Sequence, residues 1–302
     1  MAGTGSRLRG SADTIAKPLI PIAGRPLISY AIDSFDKAGV KRLHAVVGPN
    51  GDELAAAVGP LLPARMQFLP ISNPDWQKQN GVSLLTAAGK VRAPFFLAMG
   101  DHLFEGSILD QLIAHADLGR LNLAVDRKID SIFDLDDAMK VQTKDNRIVA
   151  IGKKLENYNA VDTGIFLCPE IMFEYLRRTL KEGDCSLADG VRLMAADGKA
   201  LAIDIGEAWW QDVDTPEMLA RAEQEAERFP GAFKVPEARR IKARSAAKRN
   251  SGYGDRTINK PRRGGGDLDI VLLGHALSAT PCQGLDSFFV HSRSSAMLHS
   301  GL

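Results

Sequence analysis

Apolar positions recur along this chain with two different periods, and the order in which those periods alternate predicts its architecture. Leu27, Ile28, Ala31, Ile32 and Phe35 fall on one face of a helix over 26–38, which Gly39 stops. A strand follows over 42–47, then the turn Gly48-Pro49-Asn50-Gly51, a helix near 52–62 and a short strand over 66–69. A helix over 82–91 leads into the apolar strand 95–99, which ends at Gly100-Asp101, and Ser107 caps a helix through 116. Strand and helix alternating in this way predict a parallel sheet with right-handed crossovers, whose ligands bind at the carboxyl ends of the strands.

From residue 121 the pattern changes. Strands over 121–125, 138–143, 147–151 and 163–167 follow with few helices between them; helices over 169–180 and 186–196 and a strand over 201–205 come next. A terminal helix over 216–228 has Thr215 as its cap. The expected fold class is α/β: a Rossmann-like, doubly wound, mostly parallel sheet with a small substrate-side β elaboration. One unit is expected over residues 1–233. Residues 234–302 lose periodicity and hold Arg-Arg, Lys-Arg, Gly-Gly-Gly and Ser-Ser clusters, so they are expected to be a basic, disordered tail.

Charge separates the same two regions. The chain of 302 residues has a formal net charge of +1, with 45% hydrophobic and 25% charged residues. The tail carries 12 Lys/Arg against 5 Asp/Glu, and the remainder 26 against 32. The body is therefore acidic, which argues against nucleic acid as a partner. Three cysteines, Cys168, Cys185 and Cys282, have no metal spacing and suit a reducing compartment. No apolar run is long enough to span a membrane and no export signal is visible, so the expected location is the cytoplasm.

Candidate chemistry begins in the first residues. In Ala2-Gly3-Thr4-Gly5-Ser6-Arg7-Leu8 the small residues let backbone N–H groups turn inward as an anion nest. Arg7 and Lys17 supply positive charge of the kind a triphosphate needs. No Gly-Lys-Ser/Thr follows a four-residue spacer, so this is not a P-loop. Asp101, at the end of a strand, is well placed for a hard cation such as Mg²⁺, which takes one or two carboxylates and completes its shell with water and phosphate oxygens. Asp212 and Asp214 alternate in Trp210-Gln211-Asp212-Val213-Asp214-Thr215 and share one side of an extended segment. Asn73 and the run Gln79-Asn80-Gly81-Val82-Ser83 offer donors and acceptors for a nucleobase edge, although Asn80 or Ser83 also suits a plain helix cap. Lys153, with Lys154 behind it, follows a strand and suits either a phosphate or solvent. Asp162, ahead of Thr163-Gly164, suits either a polyol hydroxyl or a turn, and His102 is a ligand contact or an ordinary strand-end residue.

Together these segments resemble a known family. The opening run followed by Lys17-Pro18-Leu19-Ile20-Pro21-Ile22-Ala23-Gly24-Arg25-Pro26-Leu27-Ile28 is similar to the start of the sugar nucleotidyltransferases, of the MobA-like type. Gly100-Asp101-His102, Tyr158-Asn159-Ala160-Val161-Asp162-Thr163-Gly164 and Trp210–Glu217 are similar to the inositol-1-phosphate cytidylyltransferases. The resemblance covers residues 2 to about 228. It implies that Asp101 and Asp214 hold Mg²⁺ with Asp212 in support. It also implies that Asn80, Gly81 and Ser83 read cytosine, that Lys153 places the acceptor phosphate, and that Asp162 and Gly164 bind the acceptor. Gly3, Thr4, Gly5 and Ser6 would hold the triphosphate. In the resembled family a buried strand feeds the opening loop. Here Met1 stands where that strand would end, and the expectation is a sheet short of its first, central strand.

The expected reaction is attack of a phosphomonoester, inositol 1-phosphate in the first instance, on the α-phosphorus of CTP with release of pyrophosphate. Positioning and charge neutralisation would carry it, without a strong general base. The alternatives are transfer to phosphocholine or a sugar 1-phosphate, and a nucleotide-binding module impaired by the missing strand. In bifunctional relatives a membrane-embedded phosphotransferase follows. Here the tail has no spanning run and no carboxylate-rich motif of that kind, and Ile270–Leu273 is its only strongly apolar run. The tail is therefore expected to be dispensable. The expected partners are CTP and a small phosphomonoester, with self-association left open.

Overall fold

The computed structural model describes residues 16–49, 51–228 and 268–274. A hairpin of β1 (Pro21–Ile22) and β2 (Arg25–Pro26) leads into α1 (Leu27–Lys37), followed by β3 (Val40–Val47), α2 (Gly51–Val58) and β4 (Gln67–Ser72). Next come α3 (Asn80–Leu85), β5 (Phe95–Met99), β6 (His102–Phe104), α4 (Ser107–His115) and β7 (Leu121–Asp126). The second half adds β8 (Lys140–Lys144), β9 (Arg147–Gly152), β10 (Ala160–Cys168), α5 (Met172–Thr179) and α6 (Leu187–Ala196). It closes with β11 (Ala200–Asp204), β12 (Trp210–Asp212), α7 (Pro216–Arg228) and β13 (Leu268–Leu273).

The main sheet has nine strands in the order β4-β3-β13-β5-β10-β7-β11-β9-β8. The four strands from β4 to β5 are parallel, as are β7 and β11. β10 runs antiparallel to its neighbours and turns the sheet into a mixed one. Helices cover both faces. Val82, Leu84, Phe173, Leu176, Val191 and Met194 of α3, α5 and α6 pack on one side. Ile28, Ile32, Phe35, Leu54, Ile108 and Leu112 of α1, α2 and α4 pack on the other. Burial on both faces explains why β5, Phe95-Phe96-Leu97-Ala98-Met99, is continuously apolar rather than alternating. This is the doubly wound α/β fold with a β elaboration.

Two departures from the expected layout matter. The helix expected over 82–91 is shorter: α3 ends at Leu85 and the chain continues in turns through Gly89, whose φ of +74° is one that glycine adopts without strain. The larger departure is β13. Residues 268–273 belong to the region expected as tail, yet they form a strand at the centre of the sheet, parallel to β3 on one edge and β5 on the other. That is the position the sequence reading reserved for the strand ahead of the opening loop. Ile270 and Leu272 join one core while Val271 and Leu273 join the other, so the alternation of β13 serves both faces. The rest of the tail lies outside the described residues.

Candidate active site

The carboxyl ends of the parallel strands open into a cleft of about 1020 Å³. Lys17 enters it from a short 3-10 turn, Lys17–Leu19, begun with Pro18. Asp101 follows β5, and Asp212 and Asp214 come at and just beyond the end of β12. β12 pairs with β6 so that Asp212 lies opposite His102. That small sheet brings Asp101 together with residues more than a hundred positions later. The Val213 N–H also donates to the Asp101 carbonyl at 3.0 Å.

Lys17 Nζ sits 2.5 Å from Asp214 Oδ1 and 3.7 Å from Asp101 Oδ2, a cation held by two carboxylates. Asp101 Oδ1 lies 2.9 Å from His102 Nδ1, and an ionised Asp101 accepts the ring proton's hydrogen bond there. The His102 ring stacks on Trp210, with centroids 5.9 Å apart, and Trp210 Nε1 donates to Asp126 at 3.0 Å. Burial works against a charged His102. The Asp101 hydrogen bond and the charges of Asp101, Asp212 and Asp162 outweigh it, so the imidazole titrates above its ordinary value. Burial pushes Asp212 up, His102 opposes, and the charges of Asp214 and Asp101 push it further. The cleft is thus crowded with negative charge that a divalent cation would relieve.

Among the described residues no three His, Cys, Asp or Glu side chains converge as a complete metal cage. Asp101 and Asp214 would leave the rest of a divalent cation's shell to phosphate oxygens and water. Lys17 Nζ lies within ion-pair distance of both carboxylates.

Asp162 lines the cleft from β10 and accepts from the Gly164 N–H at 2.7 Å. Burial pushes its carboxyl up to about 6, against the lowering effects of that amide and of His102. Gly164 has φ +73°, and a Cβ there would stand 2.8 Å from His102 Nε2, so glycine is required for the approach of β10 to His102. Asn80 and Ser83 line the cleft beside Trp76. The Asn80 Oδ1 accepts from the Leu187 N–H at 2.8 Å, and Ser83 Oγ accepts from Asn73 Nδ2 at 3.0 Å. Each residue therefore has one polar function committed to the protein and a donor left over. Gly81 lies against the α6 entry, where a Cβ would be 2.6 Å from the Cys185 carbonyl oxygen. Lys153 lines the cleft but is half-exposed and paired with Asp137 at 2.6 Å.

Lys17, Asn80, Ser83, Lys153, Asp162, Asp212 and Asp214 are thus brought to one cleft, with Asp101 buried behind Lys17 and His102. Gly3, Thr4, Gly5, Ser6 and Arg7 lie outside the described residues. Sequence reasoning missed Trp210, Asp126 and Lys128 as parts of this wall. The Lys128 Nζ holds the Gly206 and Ala208 carbonyls at 2.6 and 3.2 Å and pairs with Asp126. No local motif marks that lysine, whereas Trp210 stood inside a run already singled out.

Residues 1–130 match the MobA-like NTP transferase domain. The fold around this cleft agrees with the structure of the inositol-1-phosphate CTP transferase from T. maritima, with TM-score 0.66 and 27% identity over 77% of this chain and 95% of that one. The chain belongs to the nucleotidyltransferase superfamily. Among curated relatives of this nucleotidyltransferase, the bifunctional IPC transferase and DIPP synthase of Aquifex aeolicus is 29% identical over 225 residues. The protein of the same name from Rubrobacter xylanophilus is 33% identical over 228. Each match covers 74% of this chain, and the chain spans about half the length of these relatives, 49% and 50%. No helix of the described residues is long and apolar enough to cross a membrane.

Proposed function

We propose that this nucleotidyltransferase moves a cytidylyl group from CTP to inositol 1-phosphate and releases pyrophosphate. The observation that carries this reading is Lys17 at the cleft wall, paired with both Asp101 and Asp214, with Asp162 of β10 lining the same cleft. A structural relative named as an inositol-1-phosphate CTP transferase supports the choice of substrates.

Lys17 would leave its carboxylates for the triphosphate and stabilise charge at the α-phosphate, with Arg7 and the Gly3–Ser6 backbone holding the β- and γ-phosphates. Asp101 and Asp214 would hold Mg²⁺, with Asp212 in support; the ion would supply charge neutralisation at the phosphates. His102 orients Asp101 through Nδ1. The Asn80 amide and Ser83 hydroxyl retain donors toward the base. Cytosine accepts at N3 where uracil donates, so a fixed donor there favours cytosine. Asp162 would accept from acceptor hydroxyls, and Lys153, released from Asp137, would place the acceptor phosphate. The nucleophile is already anionic, so positioning suffices.

The test is phosphorus NMR of the full chain with CTP, inositol 1-phosphate and Mg²⁺. New diphosphate-diester resonances with stoichiometric pyrophosphate are expected. Their absence, with turnover of phosphocholine or a sugar 1-phosphate under the same conditions, would move the assignment to another acceptor.

A further inference from the structure

Asp269 is fully buried and anchors the start of β13. Its Oδ1 accepts from Arg42 Nε at 2.7 Å and forms an ion pair with Arg42 Nη2 at 2.6 Å. Its Oδ2 lies 3.3 Å from His44 Nε2 and accepts from the Arg92 backbone N–H at 2.9 Å. Burial, aided by the Arg42 charge, holds His44 below its ordinary pKa despite Asp269, so Arg42 is the balancing cation. From that anchor β13 is bonded along both edges. At its far end the Leu273 carbonyl accepts the Gly100 N–H at 2.7 Å, and Gly274 lines the cleft. Gly100 immediately precedes Asp101. A side chain on Gly100 would meet Leu273 O at 3.5 Å, Pro18 Cγ at 3.8 Å and Gly274 Cα at 3.9 Å, so the end of β13 and the Lys17–Leu19 turn both pack under that turn. A slip of one residue would remove Asp269 from its partners and turn each apolar side chain toward the wrong core.

We propose that Leu268–Gly274 is a complementing strand, held non-covalently between β3 and β5 by Asp269, whose docking positions the Gly100-Asp101 turn of the cleft. Asp269 is a positioning residue; it touches no substrate. The role does not depend on which nucleotide the cleft takes.

The test uses the full chain with a protease site placed between residues 229 and 267. After cleavage, the C-terminal fragment is expected to remain with the body through size exclusion. The cleaved protein is then incubated below its melting transition with excess labelled peptide spanning residues 266–276. Uptake of this peptide should exceed that of its Asp269→Ala version by about a hundred-fold or more. Hydrogen exchange on the uncut full chain gives a second readout: Asp269→Ala should speed exchange of the Gly100 amide at least about ten-fold, while amides of β8 and β9 keep theirs. Separation of the fragment on the column, equal uptake of the two peptides, or an unchanged Gly100 amide would overturn the proposal.

Discussion

Asp101 and Asp214 share a single cation in the form of Lys17, and that contact organises the chemistry of individual residues. If each carboxylate is a metal ligand, Asp101→Ala and Asp214→Ala should each lower kcat at least about a hundred-fold at saturating Mg²⁺, with the fold kept by circular dichroism. Near-normal turnover in either variant would remove that carboxylate from the metal. Lys17→Ala should cost about two orders of magnitude in kcat; a change confined to the acceptor KM would place Lys17 elsewhere. Asp162 gives a pH signature. Its folded pKa, about 6, lies above the unfolded value of 3.8, so the neutral form is favoured by folding. Its contribution is fully present below pH 3.8 and is lost as pH rises through 6. Asp162→Asn should therefore gain stability over the parent between pH 4 and 7, by about 1–3 kcal/mol. Denaturant titrations of both proteins at the two pH values check this, and parallel pH dependences would contradict it. These aspartates were legible in the sequence because each stands in a short, distinctive run. The second commitments of Asn80 and Ser83 were not legible, since their partners Leu187 and Asn73 are set by tertiary packing.

At the scale of elements, periodicity was most informative where burial is one-sided or complete. The expected strand 95–99 matches β5, and the expected terminal helix matches α7, where Thr215 Oγ1 accepts the Met218 N–H as a cap should. The small pairs β1–β2 and β6–β12 were not seen, because strands of two or three residues leave no period to read. β13 was misjudged for a different reason. Its apolar run was visible, but four apolar residues behind a low-complexity stretch carry no local sign of where they pair. Burying Ile270, Val271, Leu272 and Leu273 contributes roughly 6–12 kcal/mol before the entropy of ordering the strand. Removing one partner of a buried ion pair costs about 3–5 kcal/mol, so Asp269→Ala should lower the chemical-denaturation free energy of the full chain by that amount. A change below about 1 kcal/mol would mean that Asp269 does not hold β13 in place.

For the whole molecule, strand order and function are linked through the centre of the sheet. The sequence led to an α/β nucleotidyltransferase with an empty central position and a spare tail; in the fold, part of that tail occupies the position. The alternative of an impaired module rested on that empty position, where the described sheet carries β13. The most direct measurement is the ratio of kcat/KM for CTP over UTP, with inositol 1-phosphate as acceptor and the full chain as enzyme. A preference for CTP of at least about a hundred-fold is expected, eroded by Asn80→Ala or Ser83→Ala. Equal values for CTP and UTP in the parent protein would contradict the cytidylyl assignment.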